Sequence, residues 1–384
     1  EAPAQVRYQA QARFEGLTLA AWRAIPGFAN LSGRMQANEA RGSVQLAARD
    51  AELDMPRIFP VSRLRFGALD GEVGWERHDG TRFTVRLANF GYANDDLVGT
   101  ATGLYSYSGD GPGTIDLTAR LTRASGRNLH RYLPLASILG EKTRAWLVDA
   151  IRGGETSDAR LRLRGDLRDF PFAKPGQGEF RIAVQVRDAV LAFAEGWPKI
   201  EEIDGELLFE GNRMEINGRR GRTLGASLAN VRVAIPTLGA PDAVLSIQGN
   251  AQRPTLQFLE YIRSSPLRAV TGDFADGADA KGEARLRLKL AIPFAKPEAL
   301  QLQGDFRFAG NTLVLDSGLP PVERATGTVS FTEKSIQVSE ASGRFLGGPF
   351  AISGGSGRGG DLTLIARGAF TVEALETLVD PSWR

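Results

Sequence analysis

Cysteine is absent from the 384 residues. That excludes disulfides, thiol nucleophiles and cysteine-held metals, and it leaves the compartment open. Histidine is nearly absent: only His78 and His130 occur, far apart in the chain. A metal site or a serine–histidine triad would have to rest on one of them without a neighbour. His78 in "ERHDG" reads as a hairpin-turn residue, and His130 as a helix residue beside Arg131. No apolar run approaches the ~18 residues of a membrane-spanning helix, and no signal-peptide pattern precedes the opening "EAPAQVRYQAQARFEGLTLAAW". The chain reads as a segment cut from something longer. A charge excess is missing too, since 47 Lys and Arg against 45 Asp and Glu leave a net +2. Nucleic-acid binders carry a concentrated basic footprint, so that partner class is excluded. The densest basic stretch, "NGRRGRTLG" with Arg219, Arg220 and Arg222, reads as a solvated turn between strands.

What is present is period-2 alternation. "ARLRLKLAI" places Leu286, Leu288, Leu290 and Ile292 on one face and Arg285, Arg287 and Lys289 on the other. "IDGELLFE", "GTVSFTE", "KSIQVSE", "FRIAVQV" and "TIDLTARL" follow the same rule. Such strands form sheets wetted on one side. Glycine-bearing turns such as "EGNRM" and "SGDGPG" predict antiparallel hairpins. The patterning supports on the order of twenty strands. Helical pattern is sparse: residues 126–154, broken near Pro134, then 253–264, 371–380 and a short stretch over 17–25.

One phrase recurs. "FPFAKP" opens at residue 170 and "IPFAKP" at 292, a shift of 122 that also joins Pro198 to Pro320, Gly205 to Gly327 and Phe209 to Phe331. A looser early copy spans 49–76. The unit is a run of antiparallel strands followed by a short helix, and stacked units bury one another's edges. The phrase marks the start of a repeat, where proline tolerates an edge, a bulge or a first strand position.

Catalytic patterns fail individually. "GSGRGG" at 355–360 matches a dinucleotide-loop spacing but is followed by "DLTLIARG", a strand rather than a helix. The pairs Asp95–Asp96 and Glu201–Glu202 would point to opposite faces of a strand, so neither can act jointly on one substrate. "ANLSG" is a glycosylation match too short to carry weight. No cofactor or metal is expected, and the reading is of a non-enzyme. Alternating apolar faces, taken alone, fit a closed sandwich or barrel core.

The stretch "RYLPLASILGEKTRAWLVDAIRGGETSDARLRLRGDLRDFPF", with "GLTLAAWRAIPGFANLSGRM" and "GALDGEVGWE" upstream, resembles the YhdP branch of the AsmA-like proteins of Gram-negative bacteria. That resemblance implies a periplasmic protein anchored in the inner membrane by an N-terminal helix absent from this segment. It implies phospholipid acyl chains as cargo, conducted along a groove, and the outer membrane or its proteins at the far end. Other readings are a scaffold for outer-membrane protein assembly and a polysaccharide-binding β-solenoid. The expected fold is mostly β: an elongated antiparallel sheet curled into a repeat-built hydrophobic groove, with short α-helices at repeat junctions. Its repeats would span 1–125, 126–250 (with a helical insert) and 251–384 (with a terminal helix), as one continuous architecture. The expected inner face comprises Leu207, Phe209, Met214, Ile216, Leu286, Leu288, Leu290, Val329, Phe331, Ile336 and Val338, with charges such as Glu333 outside.

Overall fold

The computed structural model describes residues 7–22, 26–136, 140–268, 274–315, 318–356 and 362–371. The expected helix over 371–380 and residues 357–360 of "GSGRGG" therefore lie outside the described residues, apart from Thr371. Strand accounts for 65% of the described residues, in twenty strands with antiparallel pairing. The described helices are short. The chain divides into two compact units: residues 1–189 with 206–214, and residues 190–205 with 215–384.

In the first unit, eight strands pair in chain order. They are β1 (Gln9–Leu19), β2 (Gly27–Asn38), β3 (Arg41–Asp54), β4 (Arg63–Arg77), β5 (Phe83–Ala93), β6 (Leu97–Tyr107), β7 (Thr114–Ser125) and β8 (Ile151–Asp166). β9 (Gly178–Leu191) follows. Alternation builds the apolar face: Leu64 and Phe66 are buried on β4 while Arg63 and Arg65 are exposed. One end of this face is covered. Met55 and Phe59 from the β3–β4 connection and Tyr132 pack on a cluster of Leu31, Leu46, Ala51, Leu64, Phe66, Leu69 and Leu97.

Asp96 locks that cover down. Its carboxylate accepts from Asn128 Nδ2 at 2.7 Å, Tyr132 Oη at 2.9 Å and Arg131 Nη1 at 3.1 Å. Burial pushes the carboxyl pKa up, but these donors more than offset it and hold the group below its ordinary value. The Tyr132 hydroxyl is pushed up to about 12, chiefly by burial. Asp95 and Asp96 sit in the bend between β5 and β6 rather than within a strand. Their separation comes from Asp96 turning inward to these donors.

The second unit continues from β10 (Ile200–Glu210) and β11 (Arg213–Thr223), whose residues are shared between the units, to β12 (Ala226–Ile235) and β13 (Val244–Pro254). Helix α1 (Glu141–Ala150), in the first unit, runs directly into β8; in the second unit α2 (Thr255–Arg263) is followed along the chain by α3 (Phe274–Gly277), which leads into a strand. β14 (Asp279–Lys281), β15 (Glu283–Pro293), β16 (Gln301–Val314), β17 (Val322–Thr332), β18 (Ile336–Phe345), β19 (Gly348–Ser356) and β20 (Leu362–Gly368) complete the unit. β13 pairs with β15, and β15 to β20 pair in order, while β14 adds to β16. α2 covers one end of the apolar face, where Phe258 meets Phe306 edge-to-face at 5.1 Å.

Several local expectations are corrected. Residues 151–154 open β8 rather than ending a helix, because Ser125 and Ala124 pair with Glu155 and Thr156 and draw the segment into the sheet. Residues 17–19 continue β1, paired to β2, instead of starting a helix. "NGRRGR" is not a turn but the end of β11, where Arg220 reaches Asp204 at 2.7 Å and Arg222 reaches Glu202 at 3.2 Å. The "FPFAKP" phrase lies in the β8–β9 connection, and "IPFAKP" runs from the last two residues of β15 into the β15–β16 connection, ahead of the strands they were expected to open.

The strands are also bent. Gly16, Asn30, Asp50 and Asn89 in the first unit, and Asn230, Gly310, Arg324 and Glu340 in the second, have left-handed φ and sit where the pairing register slips. Each is a bulge that bends its strand and increases local twist, so adjacent bulges crease the sheet. The 122-residue shift reappears in the backbone: Asp188 and Gly310, Glu202 and Arg324, and Leu224 and Leu346 share positive φ.

Candidate functional site

Residues directly opposite in antiparallel strands project from the same face, so the register identifies a continuous surface. In the first unit, one row runs Ala12, Met35, Val44, Val73, Leu87, Gly103, Leu117, Leu163, crossing all eight strands from β1 to β8. A neighbouring row runs Ala10, Ala37, Gly42, Trp75, Val85, Tyr105, Ile115, Gly165. Neither row contains a charged residue.

The second unit repeats the arrangement. Its row runs Leu228, Ala251, Leu286, Phe306, Val329, Val338, Gly354, Leu364 over eight strands. Beside it run Gly249, Leu288, Gly304, Phe331 and Ile336. Thus Leu286, Leu288, Leu290, Val329, Phe331, Ile336 and Val338 share one face. Leu207 and Phe209 alternate along β10, and Met214 and Ile216 along β11. Of these eleven positions Met214 is buried, at 8% exposure, while Ile336 is 43% exposed and the rest are half-buried. The reverse face is polar: Arg285 opposes Arg307, Arg287 opposes Asp305, and Lys289 opposes Gln303.

Sequence reasoning missed Leu302, Phe306, Phe308 and Ile247, which belong to the same surface. Alternation in "LQGDFRF" was present, but Gly304 interrupts its apolar count. The glycine is required because the Phe331 ring occupies the space a Cβ would fill. Trp75 lies over Gly42 in the same way.

Half-burial distinguishes this surface from a sealed core. Among the described residues no group of three or more His, Asp or Glu is placed to hold a metal. His78 Nε2 lies 3.1 Å from Thr84 Oγ1, and His130 lies in a short 3₁₀ segment. Among the described residues no helix is long and apolar enough to cross a membrane.

A family model described as "YhdP protein" matches residues 1–384. The chain belongs to the YhdP family. It is 23% identical over 347 residues to the intermembrane phospholipid transporter YhdP of Escherichia coli (strain K12), which covers 89% of this chain. This YhdP-family chain spans 26% of that relative's length, about a quarter. No solved structure matches it.

Proposed function

We propose that this YhdP-family chain is a non-enzymatic lipid-conducting segment of a periplasmic protein, carrying phospholipid acyl chains between the inner and outer membranes and so supporting the outer-membrane barrier. The observation that carries the reading is the unbroken, half-exposed apolar row across eight strands in each unit. Exposing an acyl chain to water costs about 0.8 kcal/mol per CH₂, so a two-tailed lipid faces on the order of 20 kcal/mol. An apolar row reduces that cost along its whole length. Eight strands at ~4.8 Å spacing give a row of about 34 Å, long against the ~15 Å of hydrocarbon in one leaflet.

In this reading the bulges curl the sheet with its apolar face inward as an acyl groove, leaving charges such as Lys289 in water. The four positions on β10 and β11, Leu207, Phe209, Met214 and Ile216, extend the lining in this reading. Recurrence of left-handed residues at the 122-residue shift supports the second and third repeats of the 1–125, 126–250 and 251–384 scheme. The full-length protein would hold the inner membrane through an N-terminal anchor and meet the outer membrane, or a protein in it, at the other end. Mass spectrometry of organic extracts from purified protein tests the proposal. Phospholipid at a stoichiometric level is expected. Extracts free of lipid, from protein that retains glycans or outer-membrane proteins, would refute it.

A further inference from the structure

We propose that the Thr223–Gly225 turn, with Arg253, Arg222 and Gln257 around it, binds a phosphate-type anion such as the phosphodiester of a lipid headgroup. Arg253 lies on β13 opposite Ala284, two residues beyond the Ala251–Leu286 pair. Its side chain therefore projects from the apolar face, where it is 3% exposed. A guanidinium in that position ordinarily has a carboxylate partner, because an unpaired buried charge is strongly destabilising. Arg253 instead donates one N–H, from Nη2, to the Thr223 carbonyl. Its Nε has no acceptor, and the buried Thr223 Oγ1 has no partner either. Two of the three unsatisfied buried side-chain atoms among the described residues thus meet at this turn.

Further donors converge there. Gln257 Nε2 and Arg222 Nη2 lie 3.9 Å and 4.0 Å from the position of a Cβ on Gly225, whose φ is +76°. Arg222 now pairs with Glu202 at 3.2 Å, and both side chains are half-exposed. Such a pair exchanges readily for a better anion. α2 begins two residues after Arg253, with no acidic residue in its first turn and no side-chain cap, so its positive end adds to the field. The groups facing Arg253 are Arg222 from β11 and Glu260 and Tyr261 from α2. Burial, then the Arg222 charge, lower the Arg253 pKa, and Glu260 only partly counters them. A phosphate taken up by Arg222 and Gln257, with the Thr223 hydroxyl and Arg253 Nε behind them, would satisfy both orphaned donors and separate the two like charges.

The lipid reading enters only as the source of the phosphate, and the test separates the two. The full chain is titrated with inorganic phosphate and followed by phosphorus NMR. It is also offered vesicles of phosphatidylglycerol or of a phosphate-free galactolipid, and uptake is measured. Wild type should bind inorganic phosphate and take up phosphatidylglycerol at least tenfold over galactolipid. Arg222→Gln and Thr223→Val should each weaken phosphate binding about tenfold, and Arg253→Met should abolish it. Should Arg253→Met fail to fold, the first two variants decide, since Arg222 is half-exposed and Thr223→Val is nearly isosteric. Phosphate binding without preference between the lipids supports the site with free phosphate as its ligand. Phosphate binding with uptake of neither lipid keeps the site and refutes lipid conduction. Equal uptake of both lipids with no phosphate binding, or binding unchanged in the variants, overturns the site and leaves conduction standing.

Discussion

Glutamate at position 331 separates an open conduit from a packed core. Phe331 sits mid-row with its ring over Gly304, between Gly304 and Ile336 in the pairing register. Truncating a fully buried phenylalanine costs about 3–5 kcal/mol. At half-burial, about 1.5–2.5 kcal/mol is lost, and a carboxylate reaching water adds little. In a sealed core the same substitution would cost the full 3–5 kcal/mol plus several more for the charge, enough to unfold a domain with about 5–15 kcal/mol of stability. Phe331→Glu should therefore keep native circular dichroism and expression, with urea-unfolding stability lowered by about 2 kcal/mol. Bound lipid should fall and outer-membrane permeability should rise in complemented cells. Lys289→Gln, on the polar face, is the control and should change neither. Glu333 is unsuitable for that purpose, because its carboxylate accepts from the Leu302 amide at 3.0 Å. Aggregation of soluble-state Phe331→Glu would refute the open-groove argument, and normal lipid loading in a stable variant would place the lipid elsewhere.

Asp96→Asn should cost about 1–3 kcal/mol in chemical denaturation at pH 7, since it removes the buried charged acceptor shared by Asn128 and Tyr132, while Arg131 is nearly half-exposed and loses little. Because the folded pKa of Asp96 is lowered, its contribution is full above the unfolded carboxylate value of about 3.9. It is lost as pH falls through the folded value, so the difference between Asp96→Asn and wild type should shrink in acid; a constant difference would show that charge is not the cause. Arg324 holds a left-handed φ of +50°, a conformation that costs about 1–2 kcal/mol for a side-chain-bearing residue. After the added chain entropy of glycine, about 0.5–1 kcal/mol, Arg324→Gly should raise stability by about 0.5–1 kcal/mol in thermal unfolding. Phe258→Ala removes the edge-to-face contact with Phe306, worth about 0.5–1.5 kcal/mol beyond its area. Hydrogen exchange should accelerate over Thr255–Arg263 while β15 and β16 stay protected.

Alternation alone determined the mostly β fold, because the pleat sends successive side chains to opposite faces whatever their partners. "ARLRLKLAI" therefore declared both its apolar and its charged face, and the glycine-bearing "EGNRM" and "SGDGPG" declared their turns. The family was legible for a similar reason, in local motifs such as those of residues 131–172. Pairing could not be read locally. That Phe306 stands between Leu286 and Val329, or that Gly304 makes room for Phe331, depends on register between strands separated in sequence. Left-handed residues such as Asp50 and Arg324 shift that register, and nothing in an arginine's own preferences announces such a backbone. Residues 151–154 looked helical until pairing with β7 drew them into β8. The helical pattern over 253–264 starts at Arg253, but the helix begins at Thr255 and Arg253 instead belongs to the end of β13. Only the tertiary structure placed it on the apolar face beneath α2, because burial is a property of what packs around a side chain rather than of the side chain itself.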